Sequence, residues 1–149
     1  MSRPSRDQVF MEMANVVSKR STCARRSVGC VLVNERGHVL STGYNGVASG
    51  KPHCTDTPCN GASFDSGEGL EHCESLHAEQ NALLQCKDVY EIHTAYVTTA
   101  PCVTCTRLLM GTSCERIVFR DEYPHMGQAM AEWVKSQPKE GIKRKWHQR

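Results

Sequence analysis

At 149 residues, 39% hydrophobic, 23% charged and only 6% aromatic, the chain has the length and composition of one soluble domain, residues 1–149, and not of a disordered or fibrous segment. No apolar run approaches the roughly 20 residues of a membrane helix, and the opening MSRPSRDQVF lacks the apolar centre of a secretion signal, so a cytoplasmic protein with no membrane partner is expected. The formal net charge of +2 is too small to argue for non-specific nucleic-acid binding, and the basic end GIKRKWHQR reads as a solvated tail.

In chain order, SRDQVFMEMANVVSKRS places Val9, Met13, Val16 and Val17 at helical spacing behind Ser5, a candidate cap, and predicts a helix. VGCVLVNERGHVLSTGYN holds two β-rich runs about the turn-forming NERG and predicts an antiparallel hairpin. From Gly46 to about Cys73 the sequence is rich in Gly, Ser, Asp, Pro and Cys without periodicity, a loop so long that a ligand or metal is expected to order it. ESLHAEQNALLQC predicts a helix, TAYVTT a strand, APCVTCTRLLMG a helix, ERIVFRD a strand and GQAMAEWVKSQ a last helix. The order α-β-β-α-β-α-β-α, with no repeat or linker to divide it, predicts an α/β fold: a three-layer α/β/α sandwich with a mixed sheet.

Nine cysteines in a chain without a secretion signal favour metal ligands over disulfides, because a reducing cytosol keeps thiols free. In PCVTC, Pro101 suits the first helical position, which puts Cys102 and Cys105 in the first turn on one face, where the helix dipole favours thiolate. His77, at the start of the preceding helix, can bring an imidazole to the same point. One His and two Cys fill three positions of a tetrahedral zinc and leave the fourth for water, the pattern of a catalytic site, whereas structural sites use four protein ligands. Bound zinc lowers the pKa of such a water toward about 7. Glu79, two residues past His77, is then free to carry protons instead of binding metal. A CxxC by itself reads equally well as half of a structural zinc knuckle; the upstream His-x-Glu separates the two.

These motifs, H-x-E followed by P-C-x-x-C, match the signature of zinc-dependent deaminases. From Arg20 to Tyr123 the chain resembles the deoxycytidylate (dCMP) deaminases of the cytidine deaminase-like superfamily. The segments that carry the resemblance are CARRSVGCVLVN leading into STGYNG, then LHAEQNALL, then YVTTAPCVTC. GYNG, Gly43 to Gly46, is the discriminating one. Related branches acting on tRNA adenosine, free bases or riboflavin precursors share the zinc motifs but do not typically carry it after the second strand.

The resemblance implies hydrolytic deamination of dCMP to dUMP and ammonia, which supplies dUMP for thymidylate synthesis. It also implies activation by dCTP, inhibition by dTTP and a hexameric homo-oligomer, in a host cytoplasm if the chain is viral. It places Asn45 on the substrate's sugar, although Asn-Gly is also a strong hairpin-turn signal. Ala78 is small, as a residue facing the base should be. Tyr123 matches a tyrosine over the substrate, with an ordinary rim aromatic as the competing reading. The phosphate needs a cation, for which Arg25, Arg26 and Arg107 are candidates and Arg26 is taken.

Four further cysteines, Cys23, Cys54, Cys59 and Cys73, fall near or within the long loop with His53 and His72. They suggest a second, structural zinc that orders it. Similarity places ligands at Cys23 and His53; Cys59 and Cys73 are taken to complete the set, with His72 and Cys54 competing. Cys30, Cys86 and Cys114 read as packed thiols, and His38, His93, His125 and His147 have no motif around them. Two other functions stay open. One is a deaminase acting on dCTP or on a base within nucleic acid, for which the chain is short of basic and aromatic surface. The other is a non-catalytic zinc-binding interaction module, which leaves Glu79 unexplained.

Overall fold

The computed structural model describes residues 2–22, 26–47 and 75–149. Its framework is a five-stranded sheet in the order β2-β1-β5-β6-β7. The strands are β1 (Gly29–Val33), β2 (Val39–Tyr44), β5 (Thr94–Thr99), β6 (Arg116–Asp121) and β7 (Lys145–Gln148), and a two-residue pair, β3 (Gly46–Val47) with β4 (Ser75–Leu76), stands apart. β1 pairs antiparallel with both β2 and β5, while β5-β6-β7 run parallel, so the sheet is mixed as the element order predicted.

Alternation along the strands divides the core between two faces. Cys30, Leu32, Ala95, Val97, Ile117 and Phe119 pack with Ala82 of α2 (Ala78–Gln85), Leu109 of α3 (Val103–Met110) and Trp133 of α4 (Met126–Lys135). Val31, Val33, Tyr96 and Val118 pack with Phe10, Met11 and Ala14 of α1 (Arg6–Ser18). Among the described residues the result is three layers, with one α-helix below the sheet and three above. No helix among the described residues is long and apolar enough to cross a membrane.

Ser5 caps α1 in a capping box with Gln8, as its position predicted. The buried face of that helix is not the predicted valine row. Phe10, Met11, Ala14 and Ser18 point inward, while Val9 is 38% and Val16 61% exposed. The reason is close docking: a Cβ at Gly29 of β1 would collide with the Ala14 carbonyl, so the contact line takes small residues and the β-branched ones are displaced to the flank.

The basic C-terminal segment also differs from expectation. It is not a solvated tail: it forms β7, with Trp146 tilted against Phe119 at 5.3 Å between centroids and Arg144 only 4% exposed. Arg144 donates to the carbonyls of Cys114, Met110 and Thr112 and to Ser136 Oγ, and its guanidinium lies over Trp133. The carbonyls close the C-terminal end of α3, where the helix dipole favours a cation. Lysines and arginines concealed this alternation from a hydropathy reading.

Candidate metal and active site

Two helix starts converge above the sheet. α2 begins at His77, whose backbone N–H donates to Gln80 Oε1 at 2.8 Å. α3 begins two residues later than the sequence predicted: Cys102 is the cap, not a residue of the first turn, and its Sγ accepts the Cys105 backbone N–H at 3.4 Å. Pro101 therefore precedes the cap.

Two anchors hold α2 on β2. Asn81 Nδ2 donates to the Tyr44 carbonyl at 2.7 Å, and Ser41 Oγ donates to the Ala82 carbonyl at 2.8 Å. Between them lies Gly43, where a Cβ would run into the Ala78 carbonyl and the Ala82 backbone. The first glycine of GYNG thus lets the site helix approach the sheet, a role the motif itself did not reveal.

His77 Nδ1 lies 3.5 Å from Cys102 Sγ and 3.2 Å from Cys105 Sγ, and the three possible ligand atoms all fall within 4.8 Å of one another. A tetrahedral zinc, with bonds of about 2.3 Å to sulfur and 2.0–2.1 Å to nitrogen, holds N and S ligands about 3.5 Å apart. The donor set fits that ion in chemistry and in spacing. Glu79, 4% exposed, stands in the first turn of α2 outside this group of three.

The electrostatics are those of a site that takes a cation. The Cys102 thiol is pulled down to about 4, first by its hydrogen bond with the Cys105 thiol and then, against the cost of burial, by His77. Cys105 moves the opposite way, raised by that same hydrogen bond and by burial. The hydrogen bond to Cys102 raises His77 despite its burial. Burial raises the Glu79 carboxyl, with the nearby imidazole pulling against it.

Asn45 is buried, and its carboxamide is already engaged. Oδ1 accepts the Val28 N–H at 2.8 Å and Nδ2 donates to the Arg26 carbonyl at 2.8 Å. One Nδ2 hydrogen and one Oδ1 lone pair remain in the group's inventory. The Arg26 guanidinium lies 4.8 Å from the centre of the Tyr123 ring and is close enough to lower the proton affinity of His77 and Glu79. Ala78 is buried in the core above the sheet.

Arg107 is 57% exposed and forms a two-pronged pair with Glu132 of α4 at 3.0 and 3.1 Å. Arg25 and the expected second-zinc residues Cys23, His53, Cys59 and Cys73, with their competitors Cys54 and His72, lie outside the described residues. Cys30 and Cys114 are buried thiols, in keeping with packing. Sequence reasoning missed Asn81 and Ser41, since a polar residue on a helix or strand carries no mark of the carbonyl it will meet.

A family model described as "Cytidine and deoxycytidylate deaminase zinc-binding region" matches residues 4–121. The deoxycytidylate deaminase of Schizosaccharomyces pombe is 42% identical over 127 residues, covering 81% of this chain and 38% of that protein. The deoxycytidylate deaminase of Mycobacterium phage D29 is 40% identical over 129 residues, 82% of this chain and 99% of the phage protein. The chain thus spans about two fifths of the length of the matched proteins from S. pombe and Saccharomyces cerevisiae, and nearly all of the phage protein. Among solved structures, the dCMP deaminase from cyanophage S-TIM5 in complex with dCMP and dUMP superposes with a TM-score of 0.72 at 21% identity, over 100% of both chains, and so shares the fold. With the zinc-ligand geometry set on this fold, the chain belongs to the cytidine and deoxycytidylate deaminase zinc-binding family.

Proposed function

We propose that this chain, a single domain over residues 1–149, is a zinc-dependent deaminase that converts dCMP to dUMP and ammonia in the cytoplasm, a host's if the chain is viral. It would supply dUMP for thymidylate synthesis. The observation that carries the reading is the convergence of His77, Cys102 and Cys105 with a buried carboxyl, Glu79, held beside them and outside the ligand set. The phage relative, matched over 99% of its length, supports the choice of substrate.

Zinc bound by His77, Cys102 and Cys105 supplies a water acidic enough to be deprotonated near neutral pH. The remaining work falls to the chain. Glu79 accepts that proton and passes it to N3 of the cytosine ring as hydroxide adds to C4; it then takes the proton of the new C4 hydroxyl and delivers it to the amine as the C4–N bond breaks. Burial raises its proton affinity above that of a solvated carboxylate, which favours its taking up each proton before passing it on. Ala78 leaves room for the base. Asn45 meets the sugar with the valences its backbone bonds leave over, and Arg26, steadied on the Tyr123 ring, meets the phosphate.

The same reading includes activation by dCTP, inhibition by dTTP and a hexamer, and a second, structural zinc on Cys23, His53, Cys59 and Cys73. The test follows the cytosine absorbance of dCMP, dCTP, deoxycytidine and CMP with zinc-loaded protein, each with and without added dCTP or dTTP, alongside metal analysis. Loss of dCMP alone, tuned by the triphosphates and with two zincs per chain, is the expected result. Turnover of dCTP in place of dCMP overturns the substrate, and one zinc per chain overturns the second site.

A further inference from the structure

The second glycine of GYNG, Gly46, does not adopt a left-handed backbone: among the described glycines only Gly37 and Gly141 have positive φ. Its need for glycine lies in a contact. A Cβ there would come within 2.8 Å of Thr22 Oγ1, while the next neighbour, Tyr44, stands at an ordinary 3.7 Å. Thr22 fills the space that a side chain at position 46 would take.

From that space Thr22 bridges one edge of β3. Its backbone N–H donates to the Asn45 carbonyl at 3.2 Å, and its Oγ1 accepts the Val47 N–H at 3.3 Å. Main-chain groups of residues two apart on a strand face the same edge, so one threonine serves both while Gly46 passes between them. The other edge of β3 pairs with β4, which runs into His77. Ser21 works on the same loop. Its hydroxyl donates to the Arg26 carbonyl at 3.3 Å, the acceptor that also takes Asn45 Nδ2 at 2.8 Å. Behind both residues lies the end of α1, continued by bonds from the Lys19, Arg20 and Ser21 N–H groups to the carbonyls of Val16, Val17 and Ser18. That end is pinned on β1, since a Cβ at Gly29 would lie 2.8 Å from the Ser18 nitrogen.

We propose that Thr22 is a positioning residue for the nucleotide: it holds the main chain around Asn45 from the end of α1, and position 46 is glycine so that it can. The proposal rests on the deaminase reading, in which Asn45 meets the sugar. His77 has anchors of its own, through Asn81 and Ser41 between α2 and β2, so loosening Thr22 shifts the sugar's partner and leaves the zinc ligands in place. A weakened sugar contact costs ground state and transition state alike, which raises KM and leaves kcat unchanged. Loss of folded protein does the reverse, lowering apparent kcat at constant KM.

The test compares zinc-loaded Thr22→Ala, Thr22→Ser, Gly46→Ala and Thr22→Ala/Gly46→Ala with the parent by dCMP kinetics, dUMP affinity from calorimetry, and zinc content. Thr22→Ala and Gly46→Ala should each raise KM and the dUMP Kd about three- to tenfold, the weight of roughly one hydrogen bond, with kcat within about twofold and zinc unchanged. Thr22→Ser keeps Oγ1 and should behave as the parent. In the double variant the added Cβ meets no Oγ1, only the residue-22 Cβ at 3.8 Å, so its effect should equal that of Thr22→Ala alone instead of multiplying. Unchanged KM in Thr22→Ala, a fall in kcat at constant KM, loss of zinc, a Thr22→Ser variant as impaired as Thr22→Ala, or multiplied effects in the double variant would each overturn the proposal. A parent that leaves dCMP untouched overturns the deaminase reading itself, whereas any of these results beside an active parent overturns the positioning role alone.

Discussion

Glu79 is a carboxyl placed where water cannot charge it cheaply, and the position of that cost decides its use. Outside the three-ligand group, 4% exposed and raised by burial, it suits proton transfer better than metal binding. Glu79→Gln keeps the shape and removes the basic oxygen. The expected outcome is unchanged zinc content with dCMP turnover reduced by about 10²–10⁴, read from metal analysis and cytosine absorbance on the same sample. Loss of zinc along with activity would instead assign Glu79 to holding the site together. This residue was legible in the sequence because two-residue spacing from a ligand His, with CxxC downstream, restricts what a carboxylate can do. The double backbone engagement of Asn45 was not legible: a sequence displays a carboxamide but not the backbone at residues 26–28, just before β1, that will occupy it.

At the scale of elements, the site depends on how closely α2 lies on β2. His77 belongs to one helix start and both cysteines to another, so their mutual distances are set by helix docking and not by local chain geometry. Gly43 makes that docking possible because its missing side chain is the space occupied by the α2 backbone at Ala78 and Ala82. Gly43→Ala should push α2 outward, because the obstructing atoms are main chain and cannot rotate away. The expected cost is about 1–3 kcal/mol of overpacking in urea unfolding, with weaker zinc retention in a chelator competition. Unchanged zinc affinity at reduced stability would show that the ligand geometry recovers independently of the helix. The strand–helix alternation around this contact was readable from periodicity, as was the mixed sheet. The buried faces of α1 and β7 were misread for two different reasons. On α1 close packing prefers Ala14 and Ser18 to valine, and on β7 long charged side chains hide a strand whose inner positions are Arg144 and Trp146.

For the whole molecule, the two faces of the sheet are held by different chemistry. The layer of three helices rests on the larger apolar core and on the buried Arg144, whereas the single helix α1 is tied to the far strands by Asp7, which accepts from Tyr96 at 2.6 Å and from Arg116 at 2.9 Å. Burial acts to raise the Asp7 carboxyl, but the hydrogen bonds from Arg116 and Tyr96 outweigh it and leave it below its usual value. The sign of the linkage follows. A carboxyl more acidic in the folded chain than in the unfolded one contributes stability above the unfolded value near pH 4, and that stability is lost as pH falls through the folded value. Unfolding followed from pH 7 to pH 2 should therefore show a loss below about pH 4 that is smaller in Asp7→Asn, which starts less stable at pH 7. The difference should shrink toward the acid end, where Asp7 is protonated in the parent as well. Because α1 bears none of the zinc ligands, metal content at pH 7 should be equal in the two proteins. A variant that lost zinc there would show that anchorage of α1 is transmitted through the sheet to the site on its other face.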